Sequence, residues 1–88
     1  MAVKAVTLGK IVKAVGLKGE VKLLPGPDFW SGALNADELD LVSENISRRP
    51  VHVNGYRTKG KTFILRLSGI ETIDEAEAVV GCRLIVSL

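Results

Sequence analysis

The sequence is poor in the residues that most often build catalytic and metal centres. Its 88 residues include one cysteine, Cys82, and one histidine, His52. A single cysteine excludes an internal disulfide, which fits a reducing cytoplasm. One cysteine and one histidine make a poor zinc site. Cys82 is better interpreted as a small buried apolar residue. We therefore expect a protein that is not an enzyme and has no metal and no cofactor.

Long apolar runs are missing too. No apolar stretch approaches the ~18 residues that a membrane helix needs. The start, "MAVKAVTLGK", lacks the apolar segment and small-residue cleavage site of a signal peptide. Hydrophobic residues make up 47% and charged residues 25% of the chain, as is usual for a soluble globular domain. We expect one cytoplasmic domain over residues 1–88, with no membrane association.

Charge is unevenly distributed along the chain, although its net value is only +2. Residues 1–22 hold five lysines and one acid, and residues 48–66 hold six bases and no acid. Between them, residues 37–44 hold four acids and no base. Such blocks can simply be solvated faces of a globular domain. Alternatively, the first and third blocks form one basic surface that meets RNA phosphates.

Most of the chain has the residue pattern of β-strands. Alternation predicts strands at 20–24, 51–57 and 62–69, and short strands are expected at 39–43 and 83–88. The segment 3–16 predicts one long strand that bends or bulges at Gly9, where its alternation breaks. These six strands, without helices between them, favour an all-β fold: a closed six-stranded antiparallel β-barrel, in which closure removes exposed sheet edges.

One short helix is predicted before the last strand. Thr72 and Glu75 have the spacing of a capping box at its start. Ile73, Ala76 and Val80 form an apolar stripe at helical spacing. Gly81 is placed to end the helix.

The octet "GYRTKGKT" at 55–62 has the letters of a phosphate-binding P-loop. A working P-loop needs a helix that begins at Gly-Lys-Thr, so that its N-terminal amides hold phosphate. Here "FILRLSG" follows, which is a strand by period and residue type. We therefore predict a hairpin loop with Gly55 and Gly60 near its ends and three bases at its tip. A nucleotide-binding fragment that uses residues 55–62 remains the alternative.

Two further glycines and one aromatic residue are singled out by their positions. Gly16 and Gly19 flank the predicted turn "GLKG", where positive φ angles are expected. Trp30 follows Phe29 in an irregular segment rich in proline and glycine. It is either a hydrophobic plug over a barrel end or an aromatic residue that recognises a partner.

Two segments taken together resemble a known family. "LGKIVKAVGLKGEVKLLP" at 8–25 resembles the opening of the N-terminal domain of RimM-type ribosome maturation factors. "LRLSGIETIDEAEAVVGCRLIV" at 65–86 resembles the end of that domain, with a strand, a short acidic helix, a glycine and a final strand. Order and spacing match over nearly the whole chain. One departure is Val15, which stands where the family commonly has histidine.

The resemblance implies a six-stranded barrel of the translation-factor kind and a cytoplasmic, non-catalytic function. That function is to assist small (30S) subunit assembly and 16S rRNA processing, with the immature small subunit as partner. Family members usually carry a C-terminal PRC-barrel domain. That domain is absent from this chain, which ends at Leu88. In the family that second domain is associated with a ribosomal protein of the small-subunit head, so we expect that contact outside these residues.

The candidate site combines this expectation with the charge pattern. We expect RNA, not DNA, to be bound by basic residues in and beside the two glycine-bearing turns: Lys13, Lys18, Arg57, Lys59 and Lys61. The turn-forming residues are Gly16, Gly19, Gly55 and Gly60. A third possibility is a purely structural domain that only positions a missing partner domain.

Overall fold

The computed structural model describes residues 5–16, 18–36, 39–44 and 48–87. These residues form seven strands, one α-helix and a short 3₁₀ helix (Ser31–Asn35). The strands are β1 (Ala5–Val15), β2 (Glu20–Pro25), β3 (Leu39–Val42), β4 (Arg49–Val51), β5 (Val53–Lys59), β6 (Thr62–Leu67) and β7 (Arg83–Ser87). The helix is α1 (Ile73–Ala78).

The strands form one antiparallel sheet in the order β4-β3-β7-β1-β2-β6-β5. It is an open half-barrel, because no hydrogen-bonded ladder between described residues joins the edges β4 and β5. The predicted closed six-stranded barrel is therefore wrong in strand number and in closure. The reason lies at His52, which divides the segment predicted as one strand. Val51 pairs with Leu39 of β3, whereas Val53 pairs with Leu67 of β6.

The first strand carries two register shifts. The shift against β7, between Thr7 and Gly9, confirms the predicted irregularity at the glycine. A Cβ at Gly9 would lie 2.4 Å from a backbone carbonyl oxygen of β2, so only glycine permits this approach. The second shift, against β2 between Ile11 and Lys13, was not predicted. It leaves Val12 exposed and explains why the apolar alternation of this strand is imperfect.

The core lies on the concave face of the sheet, where alternate residues of the strands are buried. It is filled mainly by leucine, valine and isoleucine side chains, with Cys82 among them. Cys82 is thus confirmed as a small buried residue. Each buried leucine contributes roughly 1.5–3 kcal/mol by removal from water. The strand residues of this core are Leu8, Ile11, Val21, Leu23, Leu39, Leu41, Val51, Leu65, Leu67, Leu84 and Val86.

The helix and the residue after it contribute one buried side chain each to the same core. Ala76 and Val79 are buried, whereas Val80, predicted on the apolar stripe, is exposed. The helix ends at Ala78. In the turn that follows, Val79 packs in the core and Val80 faces solvent. The helix has six residues, and no helix in the described part of the chain could cross a membrane.

The predicted capping box is confirmed at the helix start. The Thr72 hydroxyl accepts from the Glu75 backbone N–H at 3.2 Å. The Glu75 carboxylate in turn accepts from the Thr72 hydroxyl and from the Glu71 backbone N–H, each at 3.2 Å. Two donors at the helix start are satisfied in this way, which explains why so short a helix begins at this position.

Candidate nucleic-acid interface

The first and third basic blocks meet on the convex, outward side of four neighbouring strands. Because β1, β2, β6 and β5 are adjacent in the sheet, cross-strand register places residues from both blocks in one row. Lys13 lies opposite Lys22, Lys22 opposite Ile64, and Ile64 opposite Arg57. Of the two alternatives left open by the charge pattern, this register favours a shared surface for part of each block.

This surface is called the basic face below. Its six cations lie on the side of these strands opposite the core, and those of β2 and β6 stand between buried residues. The only acid on the four strands is Glu20. The cations are Lys10, Lys13, Lys22, Arg57, Lys59 and Arg66. Three of them, Lys10, Lys22 and Arg66, were missed as site residues, although the alternation of β2 and β6 already placed Lys22 and Arg66 opposite the core.

Like charges face each other at one point within this surface and at one point on its border with β7. Lys13 is the cross-strand partner of Lys22, and Lys10 is the partner of Arg83 on β7. Like charges directly opposite each other destabilise a sheet. None of these four side chains makes an ion pair with any described residue. The arrangement therefore costs stability in the free domain, and a bound polyanion would relieve the repulsion.

Arg57 differs from the other cations because it is paired. Its Nη1 donates to Glu20 Oε2 at 2.9 Å, and its Nη2 donates to Glu20 Oε1 at 3.4 Å. The Arg57 side chain remains 61% exposed and that of Glu20 17% exposed. A surface pair of this kind contributes about 0–1 kcal/mol to stability. Its larger effect is to hold the guanidinium in one orientation.

The two glycine-bearing turns lie at opposite ends of the basic face. The β1–β2 turn leads into the start of β2, whereas the β5–β6 turn leads into the start of β6. Since β2 and β6 are antiparallel, these starts point to opposite ends of the sheet. Lys18 and Lys61 are therefore separated by roughly 15–20 Å of strand. The predicted basic residues flank and cross one surface and do not form a single cluster.

Three of the four predicted turn glycines are confirmed. Gly16 and Gly19 have φ angles of +70° and +83°. Gly60 has φ +60° and Lys61 does not have a positive φ, which is the pattern of a type II′ hairpin turn with two central residues. In this turn the Thr62 hydroxyl donates to the Lys59 carbonyl oxygen at 2.7 Å.

The assignment of Gly55 to a turn is wrong. Gly55 lies within β5, where the register against β6 shifts between Val53 and Gly55. The hairpin is shorter than predicted, because strand pairing continues to Lys59 and Thr62. Its tip therefore holds Lys61 beside Lys59, whereas Arg57 lies further from the tip, midway along the edge strand β5.

The P-loop interpretation of the octet has no support in this geometry. Residues 55–59 belong to β5, and Thr62 begins β6. No helix starts at this place among the described residues, so the amides that would hold a nucleotide phosphate are missing. The octet is a β-hairpin, as the residues after it predicted.

The remaining candidate residues have structural roles or lie free at the surface. The His52 backbone N–H donates to Ser68 Oγ, and its carbonyl accepts from the Ser68 N–H, each at 2.9 Å. In the described ranges no group of three metal-ligating side chains lies together.

Phe29 packs on Phe63 with ring centroids 4.7 Å apart. Trp30 is 43% exposed, so Phe29 and not Trp30 packs against the core.

Comparison with known proteins gives a consistent result. Residues 6–88 match the family model of the RimM N-terminal domain. A ribosome maturation factor RimM from Thermotoga maritima is 35% identical over 82 residues, which cover 92% of this chain and 47% of that protein. The RimM of Prochlorococcus marinus is 39% identical over 83 residues, which cover 91% of this chain and 47% of that protein. The chain spans about half the length of these relatives.

Solved structures agree with this match. A 16S ribosomal RNA processing protein RimM from Pseudomonas aeruginosa superposes with a TM-score of 0.81 and 26% identity, over 94% of this chain and 50% of that one. The N-terminal domain of RimM from Thermus thermophilus superposes with a TM-score of 0.71 over 94% of this chain and 88% of that one. At 20% identity, this second likeness bears on the fold alone. The chain belongs to the RimM N-terminal domain family of ribosome maturation factors.

Proposed function

We propose that this domain is a non-catalytic RNA-binding module that assists maturation of the small (30S) ribosomal subunit and processing of its 16S rRNA. The relatives from Thermotoga maritima and Prochlorococcus marinus are named ribosome maturation factors. The structural relative from Pseudomonas aeruginosa is named a 16S ribosomal RNA processing protein. The observation that carries the proposal is the basic face, where the like-charge pair Lys13–Lys22 persists without a carboxylate partner among the described residues.

The face binds RNA through phosphate contacts. Lys13 and Lys59 supply charge within the sheet, and Lys18 and Lys61 extend it at the two ends. Such contacts are independent of sequence and weaken as salt rises, because binding releases counterions from the RNA. Arg57 adds little net charge, since Glu20 balances it. The curvature of the half-barrel then selects RNA surfaces of matching shape.

The partner is the immature small subunit, and the contact is a docking one. The domain holds an RNA segment while assembly proceeds and performs no chemical step. The domain acts in the cytoplasm, where small-subunit assembly takes place.

Co-sedimentation of the chain with immature small-subunit particles tests the proposal. The variant Lys13→Gln/Lys22→Gln removes two charges from the middle of the basic face. Its matched control, Arg48→Gln/Arg49→Gln, removes two charges at the start of β4 and at the residue before it, outside that face. We expect the first variant to bind roughly tenfold more weakly, an effect of about 1.4 kcal/mol, and the control to bind within twofold of the unaltered chain.

Two outcomes would overturn the proposal. Equal weakening by both variants would mean that net charge alone matters and that the face has no special role. Absence of any binding by the unaltered chain would favour a purely structural domain.

A further inference from the structure

One apolar side chain is buried on the outward side of the sheet, amid charged neighbours. Ile64 lies between Lys22 and Arg57 in the central row of the basic face, and it is only 1% exposed. It does not belong to the core cluster on the concave face. Ile64 is therefore a covered apolar floor at the centre of the basic face, beneath long charged side chains.

A cleft opens at this floor. Its volume is about 240 Å³. At Gly55 the wall is bare backbone, and an added Cβ there would meet no atom within 4 Å. The residues that line the cleft are Glu20, Gly55, Tyr56, Arg57, Ile64 and Arg66.

The charged walls are of two kinds. Arg57 is held by both oxygens of Glu20, so its guanidinium plane is oriented in the free protein. Arg66 is exposed and makes no ion pair with any described residue. Guanidinium planes are surfaces on which unstacked RNA bases pack, and a plane that is already oriented loses less freedom on binding. Because Ile64 is covered, the two arginines are the surfaces that a ligand in the cleft meets first.

We propose that this cleft takes one unpaired nucleobase of a single-stranded RNA segment. The base stacks along the Arg57 guanidinium above Ile64, and the flanking phosphates reach Lys22 and Lys59. This inference rests on the proposed function and names its ligand class. Bases in an A-form duplex are stacked and paired, so a duplex meets the face through its backbone alone.

Gly55→Leu is the variant that tests the cleft. Gly55 does not have a positive φ, and space around it is open, so leucine is compatible with folding and fills the cleft. Thr58→Leu is the matched control, because Thr58 is an exposed position of the same strand and does not line the cleft. Thermal unfolding of both variants checks that they are folded.

Fluorescence anisotropy at one salt concentration gives the readout. The probes are a labelled short oligoadenylate and a labelled RNA hairpin duplex of the same number of phosphates. We expect the unaltered chain and Thr58→Leu to prefer the oligoadenylate. Gly55→Leu should bind the oligoadenylate about tenfold more weakly, since one stacked base no longer fits, and should bind the duplex within twofold of the unaltered chain.

The possible failures are distinguishable. Equal affinity for the two probes, unchanged by Gly55→Leu, would overturn the base site and leave the proposed function in place. Equal weakening toward both probes in Gly55→Leu would also overturn the base site, because the cleft would then have no selective role. If the unaltered chain binds neither probe nor small-subunit particles, the proposed function fails together with this inference.

Discussion

The two glycine-bearing turns look alike in the sequence, yet the fold uses them differently. In the β1–β2 turn, a Cβ on Gly19 would lie 2.8 Å from the Ile70 carbonyl oxygen and 2.9 Å from the Thr72 backbone nitrogen. In the β5–β6 turn, a Cβ on Gly60 would meet no atom within 4 Å. The first turn is packed against the segment that leads into α1, and the second projects freely.

The difference separates structural glycines from positions that are free for a partner. Gly19 has a positive φ and a crowded site, so two independent demands exclude any other residue there. Gly60 has a positive φ but an open site. Gly55 has neither a positive φ nor a crowded site. A basic residue beside a crowded turn is held close to the body of the domain. A basic residue at a free hairpin is presented to the surroundings, which makes the β5–β6 hairpin the better candidate for first contact with RNA.

The largest effect is expected from alanine at Gly19. Strain at positive φ and a clash with backbone atoms together predict a loss of roughly 2–4 kcal/mol in the free energy of unfolding. Gly60→Ala should lose about 1–2 kcal/mol, from the φ angle alone, and Gly55→Ala should stay within about 0.5 kcal/mol. Urea unfolding of the three variants measures the series. Equal losses at Gly19 and Gly60 would remove the distinction between the turns.

The next effect concerns binding, not stability. Lys59→Glu/Lys61→Glu reverses two charges at the free hairpin and should weaken association with immature small-subunit particles by tenfold or more, about 1.4 kcal/mol. The loss should shrink at higher salt, because salt weakens the phosphate contacts that only the unaltered chain makes. The free energy of unfolding should change by no more than about 0.5 kcal/mol. Lys18→Glu, at the packed turn, is the comparison and should have the smaller effect. Co-sedimentation that is unchanged by the double reversal would contradict a role for the hairpin.

A smaller loss of stability is expected at the helix that the first turn packs against. Thr72→Ala removes the hydroxyl that accepts from the Glu75 N–H and should cost about 1 kcal/mol. Thr58→Ala, at an exposed strand position, should cost less than about 0.5 kcal/mol. Thermal unfolding compares the two. A loss at Thr58 as large as that at Thr72 would mean that the cap does not stabilise this end of the domain.

The smallest effect is a gain of stability midway between the turns. Lys13→Glu converts the repulsive pair with Lys22 into an attractive one and should stabilise the sheet by about 0.2–1 kcal/mol. The same variant should bind RNA less tightly, so stability and binding change in opposite directions. A variant that lost stability would show that the two side chains do not repel each other in the folded domain.

Local features of the fold could be predicted from the sequence because each depends on a few neighbouring residues. The capping box at Thr72, the irregularity at Gly9 and the burial of Cys82 are of this kind. The division at His52 could not be predicted, because alternation continues from Val51 to Val53 regardless of which strand each residue pairs with.

The candidate site was predicted in part for the same reason. The composition of the two basic blocks left a shared surface and separate solvated faces as alternatives, and strand order brings part of each block onto one side of the sheet. The register that sets Lys13 against Lys22 depends on an unpredicted bulge, and the Arg57–Glu20 pair joins residues 37 positions apart. Contacts of this length follow from topology, which residue patterns along the chain do not specify.

The central claim is that the cations of β1, β2, β5 and β6 act together as one RNA-binding surface. The dependence of affinity on salt, measured with an RNA that binds the domain, tests it most directly. In a plot of log affinity against log salt, Lys13→Gln/Lys22→Gln should reduce the slope by about 2 relative to the unaltered chain, because each phosphate that a lysine no longer neutralises lowers it by close to 1. An unchanged slope, or an equal reduction in Arg48→Gln/Arg49→Gln, would contradict the claim.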